Sequence, residues 1–316
     1  MFLACFLILS EKNSHCQTTT DGSKKIGLAY PVYSQYLHNG LLINPAYAGS
    51  REVMSLFTAV RKQWVGIEGA PSFATVSLHT LLKNQKVGLG FTAQFLKYGL
   101  TQGQSIFATY AYQLHIGSGH LALGLRAGFD RTNTDYSKFS SDESLSNDPA
   151  FTTSIDPVLL PNVGAGAYFY NNSFFAGVSV PSILGYSMGG DGKPVMDSFT
   201  DFDIDIYSGA LLSFSEGFKF KPSVLVEYPL DKTRKMRLDI NGNFIVKDIL
   251  WIGGSWRTTE KSVVGIIQVQ ATQQFMFGYS YDYPLGTLGT YSDGSHELVL
   301  RFEFGYRVSA SNPRYF

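Results

Sequence analysis

The sequence predicts an all-β protein: a transmembrane antiparallel up-and-down β-barrel of about 14 strands, with an N-terminal periplasmic segment. Three observations carry that prediction. Long stretches alternate apolar with polar residues, the connections sort by length onto two sides, and the composition is poor in charge but rich in aromatics and glycine.

The alternation is plainest in His296 to Arg307. Leu298, Leu300, Phe302, Phe304 and Tyr306 share one parity, and Glu297, Arg301, Glu303, Gly305 and Arg307 share the other; only Val299 breaks the pattern. A period of two is a strand with one apolar and one polar face. Strands of soluble domains usually run about five or six residues, so a run this long suits a wall between lipid and water. Three more runs repeat it. Met236, Leu238, Ile240, Phe244 and Val246 oppose Arg237, Asp239, Asn241, Asn243 and Lys247. Phe275, Phe277, Tyr279, Tyr281 and Tyr283 oppose Gln274, Gly278, Ser280 and Asp282. Leu121, Leu123, Leu125, Ala127 and Phe129 oppose Gly124, Arg126, Gly128 and Asp130.

Strands are expected at 53–64, 72–82, 86–97, 103–116, 120–131, 163–170, 173–181, 203–214, 218–229, 236–247, 250–258, 262–272, 273–284 and 296–307. Their number is even, as bacterial single-chain barrels require. Every connection after an even-numbered strand is very short, such as Lys83-Asn84-Gln85, Gly117-Ser118-Gly119 and Asn171-Asn172. All the long ones, Thr132 to Asn162, Ser182 to Phe202, Pro229 to Lys235 and Leu285 to Ser295, follow odd-numbered strands. Outer-membrane barrels have short periplasmic turns and long outer loops, whereas a soluble sandwich has no reason to sort its connections. The sorting puts both termini on the periplasmic side of a bacterial outer membrane. The connection from 132 to 162 carries Asp135, Asp142, Glu143, Asp148 and Asp156 without the regular ligand spacing of a calcium loop, and reads as a solvated surface loop.

Composition agrees. Of 316 residues 16% are charged, against about a quarter in an average chain. There are 32 glycines, 19 tyrosines and 24 phenylalanines, which suit a barrel wall with aromatic girdles. A net charge of +0 argues against a nucleic-acid partner. No apolar run approaches the roughly 18 residues of a membrane helix. The sequence divides into an expected signal peptide at 1–16, a periplasmic or rim segment at 17–51 and the barrel at 52–316. Phe2 to Leu9 is an apolar run, and Ser14-His15-Cys16 before Gln17 resembles a cleavage site, although no basic stretch precedes the run. Cys16 as a lipidation site is the alternative, but Asn13-Ser14-His15 before it matches such a site poorly. Both cysteines, Cys5 and Cys16, fall in this leader, so the mature chain has no disulfide or cysteine metal site. The segment to 51 ends in Asn44-Pro45-Ala46-Tyr47-Ala48-Gly49, turn chemistry beside apolar residues that must be covered, inside the barrel mouth or along its rim.

No catalytic constellation emerges, and neither an enzyme nor a cofactor is expected. His15, His38, His79, His115, His120 and His296 show no zinc-helix spacing. Ser77 and His79 share a parity, but side chains two apart on a strand project in parallel and no carboxylate orients the imidazole. Gly88, Gly90, Gly164 and Gly166 lie inside strands and read as relief of crowding within a curved wall. The polar parity remains. Arg126, Arg237, Asp239, Arg301 and Glu303 face the lumen, as self-satisfying charge pairs or as a surface that binds or conducts a passenger.

From Asn44 to Gly49 the sequence resembles the PorP/SprF family of Bacteroidetes outer-membrane proteins, part of the type IX secretion system. The resemblance continues through Arg61-Lys62-Gln63-Trp64-Val65-Gly66, Gly69-Ala70-Pro71 and Ser77-Leu78-His79. It returns at Pro161 to Gly166, Gly278 to Asp282 and Gly294-Ser295-His296-Glu297-Leu298. The resemblance implies function without catalysis. Such proteins bring particular secreted proteins, gliding adhesins among them, to the cell surface. The implied partner is a secreted protein with a C-terminal sorting domain, held or passed by the barrel. Periplasmic ring and lipoprotein components of the machine are further implied partners, beside outer-membrane lipids. Asn44, Pro45, Ala46, Tyr47, Ala48 and Gly49 are candidates for partner contact. A structural role competes for each block: the end of the N-terminal segment for Asn44 to Gly49, an aromatic-girdle position for Trp64, and the cap of an outer loop for Ser295-His296-Glu297. The competing class is an outer-membrane channel for small or lipophilic solutes.

Overall fold

Fourteen antiparallel strands close into a barrel in the computed structural model, which describes residues 25–26, 32–134, 155–188, 194–198, 202–230 and 234–305. In chain order they are β1 (Met54–Lys62), β2 (Ser72–Leu81), β3 (Val87–Tyr98), β4 (Thr101–Ile116) and β5 (Gly119–Thr134). Then come β6 (Ile155–Tyr170), β7 (Phe174–Val180), and β8 (Asp203–Ala210, resuming as Leu212–Ser215). The rest are β9 (Phe218–Pro229), β10 (Arg237–Val246), β11 (Leu250–Arg257), β12 (Ser262–Gln270), β13 (Phe275–Pro284) and β14 (Ser295–Phe304). Each strand pairs with the next, and β14 returns to β1 with His296 opposite Lys62 and Phe304 opposite Met54. Closure removes the sheet edges that lipid would leave unpaired.

The parity is the expected one. Leu298 is 61% exposed and Arg301 2%; Leu125 is 63% exposed and Arg126 5%. Apolar side chains thus cover the outer surface, and the polar ones are packed inside. Aromatics collect outward at both ends of the strands. At the end of the short turns Phe218 stacks on Phe244 at 5.6 Å and Phe302 meets Phe304 at 4.7 Å. At the other end Tyr281 lies 5.1 Å from His296, whose Nδ1 is 2.7 Å from the Tyr279 hydroxyl. His296 thus joins the aromatic belt at the mouth of the long connections.

One expected boundary is corrected, and two further placements become visible. First, β6 begins at Ile155, not near 163, so the connection before it is 135–154; that stretch and its acidic residues Asp135, Asp142, Glu143 and Asp148 lie outside the described residues. Prolines such as Pro157 and Pro161 are rare inside central strands. They are tolerated because β7 is short: it pairs with β6 only from Ala165 to Tyr170, leaving the upper half of β6 with no strand on that side among the described residues. Val163 turns its carbonyl to that open side, where Ile183 N donates to it at 2.9 Å, so Pro161, two residues away, lacks a donor only where no strand needs it. Second, of the two placements open to the end of the N-terminal segment, inside the barrel or along its rim, the structure has the inside. Residues 32–51 run through the lumen as a plug of three short 3₁₀ turns, Tyr36–His38, Gly40–Leu42 and Pro45–Tyr47. Third, the described ends of the chain do not share a mouth. Lys25–Ile26 pairs with Gly185–Met188, in the connection after β7 at the mouth of the long connections, while β14 runs to the mouth of the short turns. Residues 1–16, which the sequence reads as a signal peptide, lie outside the described residues.

Candidate functional site

The lumen is the site, and its own N-terminal segment fills it. At the mouth of the long connections a ladder of charges lines the wall. Arg237 meets Glu227 at 2.8 Å and Asp239 at 3.8 Å, and Asp239 meets Arg257 at 3.2 Å. Arg257 reaches Glu260 at 2.9 Å and Asp282 at 3.1 Å. Asp282 also takes Arg61 at 2.6 Å, and Arg61 reaches Glu297 at 3.4 Å. Most of these side chains have lost their water, so the alternation of sign is what makes their burial tolerable.

The ladder grips the plug. Glu297 accepts the backbone N–H groups of both Ser34 and Gln35 at 2.9 Å, one on each carboxylate oxygen. Ser34 donates its hydroxyl to Asp282 at 2.8 Å and accepts from Arg61 at 2.9 Å. Farther in, Tyr33 bonds Thr75, Asn241 donates to the Tyr36 hydroxyl at 2.7 Å, and Gln268 donates to Gln35 at 2.8 Å. His38 packs edge-on against Trp251 at 5.0 Å, and Asn39 donates to Ser77. At the mouth of the short turns a second, smaller charge group closes the lumen. Arg51 meets Glu303 at 2.6 Å, and Arg301 lies 3.4 Å from Glu303 and 3.3 Å from Gln270.

The candidate block Asn44 to Gly49 lies deep in this plug. Asn44 caps the last 3₁₀ turn by accepting from Ala46 N at 2.8 Å, and it donates to the carbonyls of Ala167 and Val178 on β6 and β7. Ser179 donates to the Ile43 carbonyl at 2.7 Å. Opposite the plug backbone the wall has glycines. A Cβ on Gly124 would stand 2.2 Å from Ala46 N, and one on Gly88 would stand 2.0 Å from the Ala48 carbonyl oxygen. Gly88 and Gly124 are thus room for a second backbone, whereas a Cβ on Gly90 would meet the Leu41 side chain and one on Gly164 the Pro181 carbonyl. Gly49 turns at φ +82 and donates to His79 Nδ1 at 3.2 Å. Ser77 and His79 each serve the plug, and neither addresses the other. A cavity of about 10 Å³, room for one water, remains between the plug and the rings of Tyr168, Phe175 and Tyr207.

The family-block residues divide between plug and rim. Arg61 and Glu297 hold the plug, and His79 meets its lower end. Gln63 N donates to the Pro71 carbonyl at 2.9 Å, closing the connection after β1. Trp64, left-handed at φ 49, donates its N–H to the Ser295 hydroxyl, and Gly69 accepts from Gly99 N at 2.7 Å. These bonds lace neighbouring connections into one rim. Arg126 stands apart: it lies 4.4 Å over the Phe107 ring and donates to the Pro181 carbonyl, where the chain leaves β7. Sequence reasoning missed Arg257, Arg51, Ser34 and Gln35 as members of the site. Parity was the available signal for Arg257; for the plug residues, which belong to no strand, there was none. Among the described residues no three His, Cys, Asp or Glu side chains gather as metal ligands would.

Solved structures similar in shape are outer-membrane channels. The CymD monoaromatic hydrocarbon channel is 11% identical, with 89% of this chain and 95% of that one covered and a TM-score of 0.51. The toluene transporter TbuX of Ralstonia pickettii is 9% identical, with 85% and 93% covered and a TM-score of 0.50. The TodX monoaromatic hydrocarbon channel with its S2 deletion is 11% identical, with 85% and 94% covered and a TM-score of 0.50. At these identities the likeness is one of fold. No curated protein matches the sequence. The model of one family, described as type IX secretion system membrane protein PorP/SprF, matches residues 27–302, taking in plug and wall together. The chain therefore belongs to the PorP/SprF family of type IX secretion system membrane proteins.

Proposed function

We propose that this outer-membrane barrel holds or passes one secreted surface protein, adhesin-like and ending in a C-terminal sorting domain, with its long connections facing out. The family match over residues 27–302 carries this reading, because it covers the plug, the first thirteen strands and β14 as far as Phe302. The family is one of secretion-system membrane barrels rather than of enzymes. Periplasmic components of the same machine are further partners in this reading. A channel for small or lipophilic solutes is the competing reading, and a shared barrel shape at 9–11% identity supports it no further than the fold.

The experiment is purification of the tagged barrel from its native envelope, with deletion of its gene as the counterpart. A specific partner survives mild detergent as a stoichiometric complex when its concentration exceeds its dissociation constant. A large surface protein with a sorting domain should copurify, and deletion should leave that protein degraded or retained while bulk secretion continues. A barrel that purifies alone, conducts small solutes and can be deleted without loss of any surface protein would be the channel.

A further inference from the structure

The lumen offers a secreted chain no way through. Residues 32–51 enter it at the mouth of the long connections, where Ser34 and Gln35 are clasped by Glu297, and leave at the mouth of the short turns, where Arg51 meets Glu303. Between those ends Asn44, Ala46 and Ala48 are 0% exposed and Leu41 is 1%. The segment is bonded to strands on both halves of the wall, through Ser77 and Ser179 on one side and Asn241 and Gln268 on the other. Gly124 and Gly88 bring the wall so close that even one added carbon would overlap the plug backbone. A wall cut to the shape of one segment is not shaped for a passing sequence of varied side chains.

Withdrawal of the plug would also be costly. It would strip Glu297 of two N–H donors and Asp282 of the Ser34 hydroxyl, in a place where these charges have little water to replace them. The segment is continuous with β1, whose first residue is Met54, so leaving the lumen would pull on the strand that closes the barrel.

From this geometry we infer that the plug stays in place while the barrel works, so that the partner is held at the mouth of the long connections and never threads the lumen. The inference rests on the reading of the barrel as a handler of one secreted protein, and it selects holding over passing. Some other component then carries the partner across the membrane.

The test locks the plug. Asn39→Cys with Ser77→Cys joins two side chains already in contact, one on the plug and one on β2. Oxidation, followed as a mobility shift, fastens the plug to the wall. Surface display of the partner within twofold of the unmodified barrel is the expected result. A tenfold fall in display that reductant reverses would overturn the inference. Should the paired variant fail to assemble, Asn39→Cys alone reports the same thing, because Asn39 is 1% exposed. A membrane-impermeant maleimide should leave it unlabelled while the partner is being exported; labelling that rises with export overturns the inference. Gene deletion in the same strain separates the two levels. If deletion leaves the partner on the surface, the underlying reading fails; if deletion removes the partner but locking does too, only the inference fails.

Discussion

The two halves of the barrel wall hold the same plug by opposite means. The arc from β10 through β14 to β1 reaches inward with charged and amide side chains, among them Arg257, Asp282, Glu297 and Arg61. The arc from β3 to β6 instead withdraws its side chains, and Gly88, Gly90 and Gly124 let the plug lie against the strands. The difference teaches which part of the plug each arc addresses. The charged arc faces residues 33–36, whose backbone N–H groups and hydroxyls lack partners within a helix or ladder. The glycine arc faces the 3₁₀ turns of residues 40–48, which satisfy much of their own backbone and ask mainly for space.

Opposite failures follow. On the charged side the damage comes from taking an atom away. Asp282 accepts from Arg61, Arg257 and Ser34 together. Asp282→Ala leaves two buried guanidinium groups facing each other across the gap, and breaking a buried ion pair from one side costs about 3–5 kcal/mol. The urea midpoint of the purified barrel in detergent should fall by the corresponding amount, and Asp282→Asn should recover part of it. An unchanged midpoint would mean that Glu297, Asp239 and Glu260 suffice for both arginines, and that the charged arc is redundant.

On the glycine side the damage comes from adding an atom. Gly124→Ala places a carbon where Ala46 N and Cα now lie, at 2.2 and 2.4 Å. Backbone cannot rotate away as a side chain can, so the plug has to shift. Overpacking of this kind costs about 1–3 kcal/mol, smaller than the charge deletion but measured in the same unfolding experiment. A variant as stable as the parent would show that the plug is loosely seated along β5.

The outward face and the strand count were legible in the sequence because lipid imposes one rule on every strand. Leu298, Leu300, Phe302 and Phe304 obey it without reference to any partner. The inward face was half legible: parity placed Arg126, Arg237, Asp239, Arg301 and Glu303 inside, but which charge meets which depends on cross-strand register, as when Asp282 and Arg257 converge across β12. Of the plug, only the need to cover Asn44 to Gly49 was legible, not its path through the lumen. Its turns carry no period, and the glycines that betray it are in strands far away in sequence. The full length of β6 was not legible either: its first half contains Pro157 and Pro161, and nothing local announces that β7 stops early and leaves them room.

The smallest expected effect sharpens the contrast within the glycine arc itself. Gly90 also faces the plug, yet a Cβ there would meet only the Leu41 methyls, at 3.1 and 3.3 Å, and the Thr109 Cβ at 3.3 Å. A leucine side chain yields by a few tenths of an ångström at little cost, whereas the backbone opposite Gly124 does not. Alanine in place of glycine also restricts the unfolded chain, a gain of roughly 0.5–1 kcal/mol within a strand. The two terms nearly cancel, so Gly90→Ala should leave the urea midpoint almost where it was. The same substitution therefore separates two glycines of one arc: Gly124 spaces the plug backbone, and Gly90 only spaces a side chain. A fall at Gly90 as large as that at Gly124 would mean that Leu41 is locked as firmly as the backbone, and that the plug packs as a rigid body along the whole arc.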